Sequence, residues 1–291
     1  MSVIEARSLR KSFGKKLALD GVSMRVDSGR IVGLIGPNGA GKTTLLNAMA
    51  GLIPFEGGLD VLGCNPWRER ERLMRDVCFI ADVAVLPRWI RTSQLLDYVA
   101  GVHPRFDRVR ALALLENTGV DNDSKVRNLS KGMVAQLHLA IALAIDARLL
   151  LLDEPTLGLD PLFRKQFYDT LLNDYFERDR TIVISTHELD EVQHILTDVI
   201  FIDRGRIALA ASVEEIEGRF AELLVRPDHL TTARALDPIH ERQDLGRARL
   251  IFDRADLDTL HALGDVRTPA IADLFAAVMA QRRTSVPGGA L

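Results

Sequence analysis

Residues 31–44, "IVGLIGPNGAGKTT", constrain the fold more than any other stretch of the chain. A short apolar run reads as a buried strand. A glycine-rich loop follows, and the loop opens the helix-forming run "KTTLLNAMAGL". Gly36 to Thr43 fit G-x-x-x-x-G-K-T in the strand–loop–helix setting that gives this motif its meaning. In Gly36, Pro37, Asn38, Gly39, Ala40 and Gly41 the glycines let backbone N–H groups converge on phosphate oxygens. Lys42 is placed to reach β- and γ-phosphates, and the Thr43 hydroxyl to hold Mg²⁺, with Thr44 beside it. A glycine-rich turn without a ligand would not explain why strand, loop and helix occur together.

Beyond the loop the chain alternates strands with helices. "LLLLD" (149–153) and "TIVIST" (181–186) are continuous apolar runs, as expected of parallel strands covered on both faces. "SVIEARSL" and "VSMRV" read as an antiparallel element ahead of the loop, and "VIFIDRGRIALAA" as a hairpin turning at Arg204-Gly205. Residues 83–128 hold "TSQLLDYVAGV" and "DRVRALALLENTGV", both helical in spacing with no strand between them, and read as a helical insert. Near residue 218 the composition shifts. "ELLVR" and "RARLIF" look like strands, and "TPAIADLFAAVMAQRR" looks like a closing amphipathic helix with Ile271, Leu274, Phe275 and Val278 on one face. The tail "TSVPGGAL" reads as disordered. The pattern is α/β.

Three further places carry chemistry. "LLLLDE" ends a buried strand in two acids. Asp153 is placed to hold Mg²⁺ beside the phosphate loop. Glu154 is placed to orient or deprotonate an attacking water, a contribution typically worth ~10²–10⁴-fold in rate. His187 follows "TIVIST", at the strand edge that faces the ligand crevice of an open α/β sheet, within reach of a γ-phosphate. "NLSKGMVAQLHLAIALA" (128–144) raises a question of charge. Ser130 reads as a helix N-cap, yet the first turn carries Lys131 and no acid. A lysine at the positive end of a helix is unfavourable unless an anion lies close.

The bulk numbers exclude other classes. A length of 291 residues suits one large domain, or one with a small appendage. A net charge of −3 does not suggest a nucleic-acid binder. "MSVIEARSLRKSFGKK" has no hydrophobic core followed by a cleavage site, so no signal peptide is expected. The richest apolar stretch, 135–152, contains His138, Asp146 and Arg148, so no transmembrane helix is expected either. Cys64 and Cys78 read as reduced thiols rather than a disulfide framework.

The order "GPNGAGKTT", "LSKGM", "LLLLDEPTLGLD", "STH", with about 23 residues from Ser130 to Asp153, resembles the ATP-binding subunit of a bacterial ABC transporter. It resembles in particular the exporter type with a separate permease chain, and the resemblance covers roughly residues 1–217. It implies an α/β P-loop ATPase with a RecA-like core, an antiparallel β element, a helical subdomain at about 83–140 and a small α/β extension at 218–291. It implies ATP hydrolysis with ATP and Mg²⁺ bound. The implied partners are a second ATPase subunit in a head-to-tail homodimer and a transmembrane permease. The implied location is the inner, cytoplasmic face of the cell membrane, with no nucleic-acid partner.

On this resemblance Ser130, Lys131 and Gly132 reach the γ-phosphate bound by the partner subunit, which supplies the anion that Lys131 needs. Phe13 matches the aromatic residue that stacks on adenine, although a phenylalanine there also suits a core. Asp160, closing "TLGLD", matches a loop that communicates across the dimer. The chain departs from the family in two places. The usual Leu-Ser-Gly-Gly-Gln is "LSKGM" here, as in bacterial ABC proteins that serve separate exporter permeases. Asp82 stands where the family places a glutamine that touches Mg²⁺ and contacts the permease. It is therefore either a metal ligand or a residue turned to solvent or permease. The 218–291 region is similar to accessory domains of some exporter ATPases, and either helps pair the subunits or is a passive extension. A soluble ABC ATPase acting on nucleic acid or ribosomes is the main alternative. Such relatives usually carry two ATPase units in one chain, or a long coiled-coil insert, and basic surfaces, none of which is seen. A phosphoryl-transferring kinase would not need "LSKGM".

Overall fold

The computed structural model describes residues 2–81, 86–116, 118–157, 159–176, 180–244 and 247–285. The strands β1 (Ser2–Phe13) and β2 (Lys16–Asp27) pair antiparallel and extend beyond the runs marked by apolar spacing. Register shifts along the pair, one beside Ser8 at φ 48°, absorb the extra residues, as a β-bulge does. β3 (Ile31–Ile35) is wholly buried and leads through the glycine loop into α1 (Lys42–Met49). β4 (Glu56–Val61) returns to β1 and completes a sheet of order β2-β1-β4. Its adjacent glycines hide β4 from any hydrophobic count. Gly57 (φ 90°) is required there, since a Cβ would stand 2.5 Å from the Ser8 carbonyl oxygen.

After the short α2 (Arg70–Leu73) comes β5 (Val77–Ile80). Three helices follow: α3 (Thr92–Val102), α4 (Arg108–Leu115) and α5 (Lys131–Leu143). Then β6 (Leu149–Asp153), α6 (Pro161–Thr170), β7 (Thr181–Thr186), α7 (Leu189–Val192), β8 (Asp198–Asp203) and β9 (Arg206–Ser212) finish a six-stranded sheet. Its order is β5-β6-β7-β3-β8-β9, parallel except for the β8–β9 hairpin, which turns at Arg204 and Gly205, both at positive φ.

The period of two in a strand explains the unbroken "LLLLD". Leu149 and Leu151 enter the core beneath α1 and the three-stranded sheet; Leu150 and Leu152 enter the core beneath α5 and α6. Complete burial of each leucine is worth ~1.5–3 kcal/mol. α5 is apolar nearly all round for a similar reason. Leu137, Ala140 and Ile141 pack with α3 and α4, while Leu139, Ala142 and Leu143 pack beneath the large sheet. Among the described residues no helix is long and apolar enough to cross a membrane.

After α8 (Val213–Arg219) the chain builds β10 (Phe220–Val225), α9 (Leu230–Arg234), β11 (His240–Asp244), β12 (Arg247–Asp253), α10 (Leu257–Leu263) and β13 (Gly264–Arg267). These strands form an antiparallel sheet of order β11-β12-β10-β13. β11, "HERQD", has no apolar alternation and could not be read as a strand. α11 (Ile271–Ser285) closes the described chain against the core of the large sheet. Its buried face is wider than the expected stripe: Ala277 and Met279 join Ile271, Leu274 and Val278. Phe275 meets Phe201 of β8 edge-on at 5.2 Å between ring centroids. Of the tail expected to be disordered, residues 286–291 lie outside the described residues.

Candidate functional site

The phosphate loop sits where β3 hands over to α1. Gly39 (φ 79°) and Gly41 (φ 111°) occupy the left-handed region. A Cβ on Gly41 would lie 2.7 Å from the Ala18 carbonyl oxygen, so glycine alone lets β2 approach. The Ala40 N–H donates to the Pro37 carbonyl at 3.1 Å, and the Gly205 N–H donates to the Ala40 carbonyl at 2.8 Å, which fastens the loop to the β8–β9 turn. A cavity of ≈ 370 Å³ is lined by Phe13, Lys16, Ala18, residues 37–44 and Glu154. Phe13 is 51% exposed, with the Lys11 ammonium 5.0 Å from its ring centroid, so it is a surface ring beside the cavity and not part of the core. Thr43 is exposed and also lines the cavity.

Three strand ends bring the charged groups together. Lys42 Nζ donates to the Gly36 carbonyl at 2.7 Å and lies 3.3 Å from Glu154 Oε1. Glu154 Oε2 lies 2.9 Å from His187 Nδ1. The Glu154 carboxylate thus bridges a lysine and a histidine distant in sequence. Glu154 holds φ at 46°, a left-handed conformation that costs a non-glycine residue on the order of 1–3 kcal/mol. The turn releases its side chain from the alternation of β6.

Asp153 is completely buried, and its Oδ1 accepts a hydrogen bond from the Ser185 hydroxyl. Its Oδ2 is buried without a hydrogen-bond partner among the described residues. A buried carboxylate oxygen left in that condition is costly unless a cation completes it. No group of three or more His, Cys, Asp or Glu that could hold a metal occurs among the described residues. One carboxylate beside a phosphate loop is nevertheless the donor set that suits Mg²⁺, which binds through one or two carboxylates, water and substrate phosphates. The residues present therefore fit Mg²⁺ with a nucleotide. Of the other expected ligands, Thr43 lines the phosphate-loop cavity, and Asp82 lies outside the described residues.

The helix that begins with "SKG" is built as its capping pattern predicts. Ser130 is the N-cap of α5, and its hydroxyl accepts the Met133 N–H at 3.2 Å. The first turn of α5 has no acidic residue, and Lys131 is exposed. Ser130, Lys131 and Gly132 do not line the phosphate-loop cavity of their own chain. Lys131 instead borders a second cavity, of ≈ 490 Å³, together with Arg88, His138, Glu154, Pro155 and Leu157. Burial pushes the His138 imidazole below its ordinary value.

Asp160 is the N-cap of α6 and accepts the Phe163 N–H at 3.0 Å. Arg164 in that helix donates to the Leu159 carbonyl at 2.8 Å and to Glu188 and Glu191 at 2.5 and 2.6 Å. The loop before α6 is thereby tied to the segment after His187. Tyr168 lies 3.2 Å from the Thr156 hydroxyl, and burial pushes its phenol up to about 12. Sequence reasoning missed Ser185. The available signal was a hydroxyl in a strand where every residue is buried.

Residues 19–157 match the ABC transporter family. The chain is 32% identical over 276 residues to a Nod factor export ATP-binding protein of Paraburkholderia xenovorans, covering 90% of this chain and 89% of that protein. It is 35% identical over 223 residues to a sulfate/thiosulfate import ATP-binding protein of Bradyrhizobium diazoefficiens, covering 73% of this chain and 64% of that protein. The fold is similar to the solved structure of an ATP-binding subunit of an ABC transporter. The TM-score is 0.68 at 25% identity, over 74% of this chain and 92% of that one.

Proposed function

We propose that this chain, which belongs to the ABC transporter family and is the ATP-hydrolysing subunit of a transporter with permease partners, drives export and works as a head-to-tail homodimer. One observation carries the dimer. Lys42, Glu154 and His187 converge within a chain, while the Ser130-capped helix end does not line the phosphate-loop cavity of its own chain. Lys131 and a helix N-terminus both favour an anion, and the γ-phosphate held by a second copy is the anion that fits. Export is supported by the reach of the similarity. The Nod factor export protein aligns over 90% of this chain, which must include part of the C-terminal sheet, whereas the 73% shared with the importer need not. The chain then sits on the inner face of the cell membrane, against its permease.

The residue roles follow from charge and reach. Residues 36–41 and Lys42 hold the β- and γ-phosphates, Phe13 stacks on the adenine, and Thr43 with Asp153 holds the metal. Mg²⁺, when bound, offsets the charge that gathers on the phosphate oxygens. Lys42 exchanges the Glu154 carboxylate for phosphate, which frees Glu154 to take a proton from the attacking water. His187 keeps Glu154 in place and holds the γ-phosphate in line. Ser130, Lys131 and Gly132 of the second copy close over that phosphate, and Asp160 sits in the loop that links the two sites. Asp82 is proposed as an additional metal ligand.

Mixing two defective chains tests the shared site. A heterodimer of Ser130→Arg and Lys42→Ala chains holds one intact composite site and one doubly defective site, so about half of the sites assemble, read as trapped nucleotide per dimer. Wild-type turnover by Ser130→Arg alone would sink the shared site. Direction is read in inverted membrane vesicles containing the permease: ATP-driven loss of substrate from the lumen, instead of uptake, would identify an importer.

A further inference from the structure

Ser185 is completely buried at the end of β7, and the scheme above gives it no role. Asp153 and Ser185 are register partners across β6 and β7. The Ser185 hydroxyl donates to Asp153 Oδ1. The Ser185 Oγ in turn accepts the Glu154 N–H at 3.1 Å, and the Ser185 carbonyl accepts that N–H at 3.1 Å as well. A serine hydroxyl has a single proton to donate, and here it is committed to Asp153. Oδ1 is thereby occupied, while Oδ2 has no hydrogen-bond partner among the described residues. The terminal torsion of an aspartate is broad and roughly two-fold, so an untethered carboxylate would turn. The left-handed turn at Glu154 likewise persists only where its surroundings over-determine it.

We propose that Ser185 is the positioning residue of the metal site. Its hydroxyl fixes the Asp153 carboxylate so that Oδ2 faces the Mg²⁺ of the bound nucleotide, and its oxygen anchors the peptide from which Glu154 projects. One hydroxyl therefore couples metal holding to water activation. This inference rests on the assignment of Asp153 as the metal-holding carboxylate made under Proposed function.

The test titrates Mg²⁺ against the full chain carrying a fluorescent ATP analogue, and repeats the nucleotide titration in chelator. Wild type is compared with Ser185→Ala, Ser185→Thr and Asp153→Asn. Ser185→Ala is expected to weaken the Mg²⁺-dependent part of binding by about 10–100-fold, as loss of a ligand's hydrogen-bond partner does, with metal-free affinity unchanged. Ser185→Thr keeps the hydroxyl and recovers most of that loss. Ser185→Cys, nearly the same size with a weak donor, falls between them and serves as the second variant should the alanine form not fold. Wild-type Mg²⁺ affinity in Ser185→Ala, with the affinity lost in Asp153→Asn, overturns the role of Ser185 and leaves that of Asp153 standing. An equal fall with and without Mg²⁺ in Ser185→Ala also overturns it, because general disruption moves both. Wild-type Mg²⁺ dependence in Asp153→Asn overturns both assignments.

Discussion

Two sheets of this molecule each bury a carboxylate, and they complete it in opposite ways. Asp153, at the end of a parallel strand, has one oxygen on Ser185 and the other without a partner among the described residues. Glu222, in β10, an interior strand of the C-terminal antiparallel sheet, is 2% exposed. Arg267 donates to both of its oxygens at 3.0 Å, and Arg249 adds a contact at 3.4 Å. Glu222 is a closed ion cluster, finished by the chain's own arginines. Asp153 has no such completion among the described residues, and the Mg²⁺ proposed above would supply it. A fully paired buried charge needs nothing further, whereas a half-paired one is costly until a partner completes it, which fits the metal role proposed for Asp153.

The largest effect is expected at the open site. Glu154→Gln keeps the size of the side chain and removes the proposed base, so ATP turnover should fall by ~10²–10⁴-fold with ATP binding intact. Steady-state hydrolysis beside equilibrium nucleotide binding measures this, and near-wild-type turnover would remove Glu154 from the mechanism. Loss of hydrolysis should also leave an ATP-stabilised dimer visible by size-exclusion chromatography.

Next comes the contrast itself. Glu222→Gln should lower unfolding free energy by about 2 kcal/mol, because charge-assisted hydrogen bonds at a buried site are lost. The value stays modest because Arg249 and Arg267, at 31% and 58% side-chain exposure, can turn to water. Nucleotide affinity should not change. Asp153→Asn should do the reverse, leaving stability near wild type while Mg²⁺-supported binding is lost. Urea unfolding and nucleotide titration on both variants decide the matter, and equal destabilisation by the two would erase the distinction between closed and open carboxylates.

The smallest effect concerns pH. Burial holds the His138 imidazole below its ordinary 6.5, so near that pH the unfolded chain binds more protons than the folded one. Stability should therefore be full above about 6.5 and decline as pH falls below it. His138→Gln should flatten that slope by no more than about 1 kcal/mol between pH 7.5 and 5.5. An unchanged slope would show that the imidazole titrates as in water.

Much of the site was legible because its signals are local. Gly36 to Thr44 announce themselves by spacing, Ser130 by its place before an apolar helix, and the Arg204-Gly205 turn by its flanking strands. β4 and β11 were not legible. One depends on glycines that pass close to a neighbouring backbone, and the other is a polar strand held by its pairing with β12. Phe13 could be read as core or as surface until its exposure decided the point.

What the sequence by itself determined is the set of parts: a phosphate loop, two acids ending a buried strand, a histidine after the next strand, and a capped helix with an uncompensated lysine. Each is written within a few residues, where the repeat of a strand or helix and the chemistry of a turn act directly. Tertiary structure alone decided which groups meet. The strand order β5-β6-β7-β3-β8-β9 puts Lys42 and Glu154 at 3.3 Å, and the β6–β7 register puts the Ser185 hydroxyl on Asp153. A one-residue slip in that register would turn Ser185 to the opposite face of the sheet. Register is chosen by the burial of both faces of the whole sheet at once, so no single segment could carry it.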